Sequence, residues 1–370
     1  MLKKFTVSNY RSFEKPIAID FANVRDYDFN EDCIKNGLIN KSVIYGENAV
    51  GKTNFGRAIM DVVTMVSIMP ISFSENSGFQ NAKVNKEVAT FEYIFQINGY
   101  EIEYTYEKYS ILKIRFESLK INQQLLYELN FDSQEGDFST FSDYEELKFL
   151  NLGNWNPEIS VLKYILSHTK LEKLMVLKKL QSFIDGMFNS WRYDELIESD
   201  IERIIEENLI HDFENFLREA SIDIRLKAVR GLDGKKELYI DYGNNNLLLF
   251  LEHASSGTLA LVELYMLLNN SSLTFAYIDE FDSHLHFAVS KLMLEKFKQK
   301  TQSQTVITTH NTDLMSNKYM RPDCYLVMTP DKITNLADTT ARKLRMGHHL
   351  ENLYQAGGFE LVNHIGDKDE

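Results

Sequence analysis

The segment Gly46-Glu47-Asn48-Ala49-Val50-Gly51-Lys52-Thr53 constrains this chain more than any other. Residues 42–45 ahead of it read as a short buried strand, and residues 55–66 behind it as a helix. A strand, a glycine-bearing loop and a helix in that order make a phosphate cradle. The glycines let successive backbone N–H groups turn inward, and the positive end of the helix dipole strengthens the pull on an anion. Lys52 is placed to reach the β- and γ-phosphates of a nucleoside triphosphate, and the Thr53 hydroxyl to hold Mg²⁺. ATP is favoured over GTP, because Asn317-Lys318-Tyr319-Met320 lacks the aspartate of a guanine-reading motif.

A chain of 370 residues that is 44% apolar and 12% aromatic can bury a large core. No apolar run approaches membrane-spanning length, and residues 1–5 lead into a strand pattern and not a signal peptide. Cys33 and Cys324 are too few for a disulfide framework and read as buried, inert thiols. A soluble, cytoplasmic protein is expected, with no membrane partner. Forty basic against fifty-four acidic residues give a net charge of −14, which repels nucleic acid overall. Contact with DNA or RNA would need a local basic patch. The two candidates are Lys170, Lys173, Lys178 and Lys179 on one helix, and Arg342, Lys343 and Arg345 near the end.

Alternating patterns predict strands at 2–7, 16–21, 88–97, 100–108, 111–121 and 123–131, with Asn98-Gly99 as a hairpin turn. Residues 132–156 read as a polar loop or linker. From 161 to 220 the period becomes helical. Leu177, Leu180, Ile184, Met187 and Phe188 mark one stripe, and Ile197, Ile201, Ile204 and Ile205 another. Strands follow at 222–229 and 237–242, then a helix from about Gly257. The tail alternates strand and helix (273–278, 285–297, 305–308, 324–328), which implies a parallel, doubly wound sheet. Residues 342–359 are expected to close the chain as a helix and a turn. The division is 1–158, an α-helical insert at 159–221, and 222–370.

A phosphate loop needs an acidic partner for its metal at the end of another parallel strand. Asp279-Glu280 follows the apolar run 273–278. Asp279 would hold Mg²⁺, and Glu280 would orient and deprotonate the attacking water. Thr308-Thr309-His310 ends the next apolar strand, which brings His310 toward the γ-phosphate. Ala254-Ser255-Ser256-Gly257-Thr258 opens an almost wholly apolar helix and forms a second anion site. Two helix caps within one subunit lie too far apart to share a phosphate. Ser256 and Gly257 are therefore expected to grip the ATP of another subunit.

On these residues the chain resembles the ABC-class ATPases, in the SMC/RecF/OLD branch. Ser8-Asn9-Tyr10-Arg11-Ser12-Phe13 looks like that family's N-terminal turn, which brings Arg11 to the nucleotide. Residues 46–53 with Asn54 resemble its Walker A, Ser255-Ser256-Gly257-Thr258 its signature, Asp279-Glu280 its Walker B, Ser283-His284-Leu285-His286 its D-loop and His310 its switch histidine. The "LH" of the D-loop, with 116–119 and 213–224, is closest to OLD-like and abortive-infection ATPases of bacterial defence. The signature departs from the transporter consensus at Thr258 and Leu259. Gln80 is the candidate for the family's Q-loop glutamine. The insert is too short for a long coiled coil, no TOPRIM-like domain follows His310, and His348 and His349 lack a ligand set and should face solvent.

The resemblance implies an α/β fold: an ABC-type P-loop ATPase head with a mixed sheet, an antiparallel meander and an inserted helical subdomain. It implies a homodimer, or a larger assembly of dimers, that sandwiches ATP and hydrolyses it with Glu280, His310 and Lys52. The expected role is a nucleotide-gated sensor or regulator in anti-phage defence, acting on a separately encoded effector such as a nuclease or toxin. The alternative is a RecF/SMC-like repair or recombination ATPase that binds DNA directly.

Overall fold

Two sheets of different character clasp the helix that follows the phosphate loop. The computed structural model describes residues 1–67, 78–84, 87–145, 147–148, 150, 153–170, 174–190, 193–231, 234–300 and 302–359. Among these residues the larger sheet has seven strands, all antiparallel. Their spatial order is Glu135–Asp137, Gln124–Asn130, Ile114–Ile121, Tyr100–Lys108, Ala89–Ile97, Leu2–Ser8, Ile17–Asp20. The hairpin Ala89–Ile97/Tyr100–Lys108 turns on Asn98 (φ 51°) and Gly99 (φ 84°), the positive-φ pair of a tight two-residue turn. Glu135–Asp137 adds a strand where a plain loop was expected, paired to Gln124–Asn130.

The second sheet has six strands in the order Met187–Asn189, Phe275–Ile278, Gln304–Thr308, Lys41–Tyr45, Tyr325–Met328, Ile333–Asn335. The first five are parallel, and Ile333–Asn335 closes the edge antiparallel. Its central strands are buried along their whole length, as expected of a sheet covered on both faces. A small antiparallel sheet (Leu226–Arg230, Lys236–Asp241, Leu247–Leu249) stands apart and leads into the helix Ser256–Asn269.

The helix Lys52–Val66 lies between the two large sheets. On one side Phe55 packs edge-on against Phe5, and the Tyr93 hydroxyl donates to the carbonyl of Ala58. On the other, a Cβ at Gly56 would stand 2.4 Å from the Tyr277 ring, so only glycine allows this approach. Lys108 of the antiparallel sheet and Asp61 of the helix form a buried ion pair at 2.8 Å, with the Tyr106 hydroxyl donating to the same carboxylate. The phosphate-loop helix is thereby fixed to both layers.

Two expectations are corrected. Met187 and Phe188 do not continue a helical stripe. The helix Met175–Asp185 ends at Gly186, where a Cβ would meet the Ser272 carbonyl at 2.4 Å, and the chain then extends as an edge strand. The stretch 159–221 thus contributes a strand to the central sheet as well as helices. Near the end, 342–349 is irregular and the helix is Leu350–Gln355. Asn317 donates to the carbonyls of Arg345 and His348 and holds that stretch out of a helix.

Candidate active site

The carboxyl ends of three adjacent parallel strands converge here. Gln304–Thr308 lies between the phosphate-loop strand Lys41–Tyr45 and the acidic strand Phe275–Ile278, with Ile307 level with both Val43 and Ile278. His310 therefore emerges between the loop and Asp279-Glu280. Lys52 Nζ donates to the carbonyls of Gly46 at 2.9 Å and Glu47 at 3.0 Å, and lies 3.0 Å from His310 Nε2. An ammonium has only donors, so that contact makes Nε2 the acceptor and leaves the imidazole proton on Nδ1. Burial draws the Lys52 pKa below the ordinary lysine value, while Asp279 and Glu280 pull it partly back.

The loop keeps a shape that glycine permits. Gly51 has φ 108°, and a Cβ there would meet both the Phe13 ring and the Ser12 hydroxyl at 2.8 Å. At Gly46 a Cβ would be 2.6 Å from the Met328 carbonyl. Ala49 is also left-handed at φ 64°, a conformation that costs an L-residue energy and is held by its surroundings. Val50 is buried beneath the loop, while Glu47, Asn48 and Ala49 form its exposed lip.

Across the sheet, the Thr53 hydroxyl donates to Asp279 Oδ2 at 2.5 Å. A hydroxyl and a carboxylate side by side are hard oxygen donors, the set a small divalent cation such as Mg²⁺ takes beside a bound triphosphate. Asp279 Oδ1 accepts from the Thr308 hydroxyl at 2.6 Å, and the Asp279 amide donates to the Ser190 hydroxyl at 2.9 Å. Glu280 is left-handed at φ 47°, and its amide donates to Thr308 Oγ1 at 2.8 Å. The Tyr277 hydroxyl donates to the carbonyl of Lys52 at 2.7 Å.

The N-terminal turn reaches the loop through Ser12 and Phe13, because Asn54 donates to Ser12 Oγ at 3.0 Å. Arg11 stands at the same turn with φ 48°, and its guanidinium donates to its neighbour, the Tyr10 hydroxyl, at 3.1 Å. Gln80 donates its side-chain amide to the carbonyls of Glu87 and Tyr109, so it is engaged away from the phosphate loop. Ser255 caps the helix Ser256–Asn269 by accepting from the Thr258 amide at 3.1 Å. Gly257 abuts the D-loop, where a Cβ would be 2.7 Å from the His284 carbonyl. Among the described residues no hydrogen bond joins Ser256 or Gly257 to the phosphate loop, and Ser256, His284 and His286 are exposed.

The other predicted features resolve simply. Cys33 and Cys324 are free and buried. Among the described residues there is no cluster of metal-ligating side chains, and His348 and His349 face solvent. Lys170 precedes the helix Met175–Asp185, which carries Lys178 and Lys179, and Lys173 lies outside the described residues. Arg342, Lys343 and Arg345 are exposed on irregular chain. A third basic patch was not anticipated. Arg225, Lys227, Arg230, Lys235 and Lys236 are all exposed on one hairpin, with Arg230 directly opposite Lys236. Ser190, Tyr277 and Thr308 were given no role either, since a buried hydroxyl carries no sequence pattern that marks it.

The sequence profile of one family, described as "AAA domain, putative AbiEii toxin, Type IV TA system", matches residues 41–316, about three quarters of the chain. The chain belongs to this family. The match spans the phosphate loop, Asp279-Glu280 and His310, so this AbiEii-type AAA domain encloses the whole convergence of strands. No curated protein matches the chain in sequence. Among solved structures, an SMC head bound to the C-terminal winged-helix domain of ScpA is 16% identical, with a TM-score of 0.54 over 90% of this chain and 97% of that one. The SMC head domain from Thermotoga maritima is also 16% identical, with a TM-score of 0.43 over 90% of this chain and 98% of that one. On the first of these, the chain shares the fold of an SMC head domain. Among the described residues no helix is long and apolar enough to cross a membrane.

Proposed function

We propose that the chain is a nucleotide-gated ATPase that binds ATP with Mg²⁺ and hydrolyses it in a composite site between two copies. The observation that carries this reading is the Thr53–Asp279 contact at 2.5 Å beside Lys52 and His310. Four chemically distinct groups from three strand ends meet where a triphosphate would lie. Loop amides of 46–53 and Lys52 would bind the phosphates, with Asn54 and the Arg11 turn bracing them. Thr53 and Asp279 would hold Mg²⁺, which offsets charge on the phosphate oxygens. Glu280 would orient the water and accept its proton, and His310 would turn from Lys52 toward the terminal phosphate. Ser256 and Gly257 of a second copy would close the site. Replacing Glu280 by Gln should preserve ATP affinity and lower kcat by about 10²–10⁴-fold. Wild-type turnover in that variant would remove Glu280 as the base.

For the biological role we favour bacterial defence. The family is described as a toxin of a toxin–antitoxin system, and the D-loop resembles OLD-like ATPases. ATP-driven closing and opening would then report to a separately encoded protein, a nuclease, toxin or antitoxin. Recovery of a partner with the native protein, in an amount that changes with ATP, is the expected result; no partner in either state counts against the role. A second reading, direct contact with nucleic acid as in RecF- or SMC-like repair, is favoured by the basic hairpin 225–236. It requires binding to duplex DNA that falls steeply with salt and weakens on Arg230→Glu with Lys236→Glu.

A further inference from the structure

One residue clamps the acidic turn at three points. Thr308 is completely buried at the end of the strand next to the acidic one. Its side chain and backbone together hold three consecutive residues. Oγ1 donates to Asp279 Oδ1 at 2.6 Å and accepts from the Glu280 amide at 2.8 Å, while its carbonyl accepts from the Phe281 amide at 3.0 Å. The directions are forced. The Glu280 N–H can only donate, so the hydroxyl accepts there and its own proton is left for the carboxylate. Asp279 is thereby turned so that Oδ2 remains toward Thr53. Glu280 is held in the left-handed region at φ 47°, which a glutamate does not adopt unless its surroundings impose it.

We propose that Thr308 is a positioning residue for nucleotide hydrolysis, its hydroxyl locking the orientation of the metal-facing carboxylate to the backbone conformation that aims Glu280. The proposal rests on the ATPase reading above. Valine at 308 keeps the shape but loses both hydrogen bonds, leaving Asp279 Oδ1 and the Glu280 amide without them. Serine keeps the hydroxyl and loses only a methyl. Neither change touches Lys52 or the loop 46–53.

The test uses full-length wild type, Thr308→Val and Thr308→Ser. Affinity for a fluorescent ATP analogue is measured with Mg²⁺ and with EDTA, alongside kcat and KM. In EDTA the valine variant should bind within about twofold of wild type. The gain in affinity on adding Mg²⁺ should shrink, and kcat should fall about 10–100-fold, the usual cost of losing a partner that orients a metal ligand. Serine should return both to within about threefold of wild type. A valine variant with the wild-type Mg²⁺ gain and kcat overturns the proposal, as does a serine variant as impaired as valine, which would make the methyl the active group. Should valine fail to fold, Thr308→Ala carries the same comparisons, and full kcat in alanine overturns the proposal. A wild type that turns over no ATP with Mg²⁺ brings down the ATPase reading and this proposal together, an outcome distinct from an unaffected Thr308 variant.

Discussion

Single side chains in this site are legible in proportion to how irreplaceable their chemistry is. Lys52, Thr53, Asp279, Glu280 and His310 could be proposed from sequence because a phosphate loop, an acidic strand end and a strand-end histidine follow in a recognisable order; in the structure Lys52 meets His310 and Thr53 meets Asp279. Thr308 and Ser190 could not, because a threonine at the end of one strand and a serine just after another are ordinary. Lys41 illustrates a further limit. It begins the phosphate-loop strand, lies 2% exposed, and donates to the Ser303 carbonyl and to Thr305 Oγ1 at 3.4 Å. Burial, with Lys35 nearby, pulls its pKa down to about 7, against a smaller opposing pull from Cys33. Between pH 7 and the ordinary lysine value of about 10.4, the unfolded chain binds more protons than the folded one. Stability contributed at this position therefore rises with pH across that window, and the penalty is full below pH 7. Denaturant melts from pH 6 to 10 should show that rise in wild type and its loss in Lys41→Met. A variant with an undiminished slope assigns the titration to another group.

At the scale of elements, legibility followed length. The hairpin Ala89–Ile97/Tyr100–Lys108 was predicted almost to the residue, because nine alternating positions and Asn-Gly leave little choice. The strand Met187–Asn189 spans three residues, too few for any period, and its identity is decided by partners 88 positions away, such as Phe275 opposite Met187. What fixes one element to another was equally hidden. Lys108 and Asp61 sit 47 positions apart, and nothing in either local pattern announces a buried pair. Desolvation lowers the pKa of Lys108, but Asp61 opposes this directly with two hydrogen bonds to the ammonium. Removing one partner strands the other charge in the core, at about 3–5 kcal/mol. Asp61→Leu and Lys108→Met should each lose stability on that order in urea melts, with the double variant Asp61→Leu/Lys108→Met less destabilised than the sum. Strict additivity would mean the pair does not couple the meander to the phosphate-loop helix.

For the whole molecule, the unanswered geometry is where Ser256 and Gly257 act. Their helix begins against the D-loop backbone, exposed, with no hydrogen bond to the loop 46–53 among the described residues. On the proposed reading, one chain would carry two anion-binding helix starts, each half of a site. In a two-fold dimer the halves would complement each other, each nucleotide meeting Lys52 of one copy and Ser256 of the other. That arrangement makes a prediction no single-chain site can meet. Lys52→Ala should abolish turnover by removing the phosphate contact, and Ser256→Arg should abolish it by blocking the facing copy. A mixture of the two variants forms heterodimers in which one site combines the intact Lys52 of one chain with the intact Ser256 of the other, while the second site carries both defects. Mixing two inactive proteins should therefore restore activity, up to about half the wild-type rate per heterodimer if the sites act independently, in proportion to the heterodimer present. The mixed dimer itself should become more abundant when ATP is added, since nucleotide that bound the closed form better than the open one would drive association. Activity that stays absent at concentrations where mixed dimers are seen by sedimentation would place the signature helix outside the catalytic site and return the chain to a one-copy mechanism.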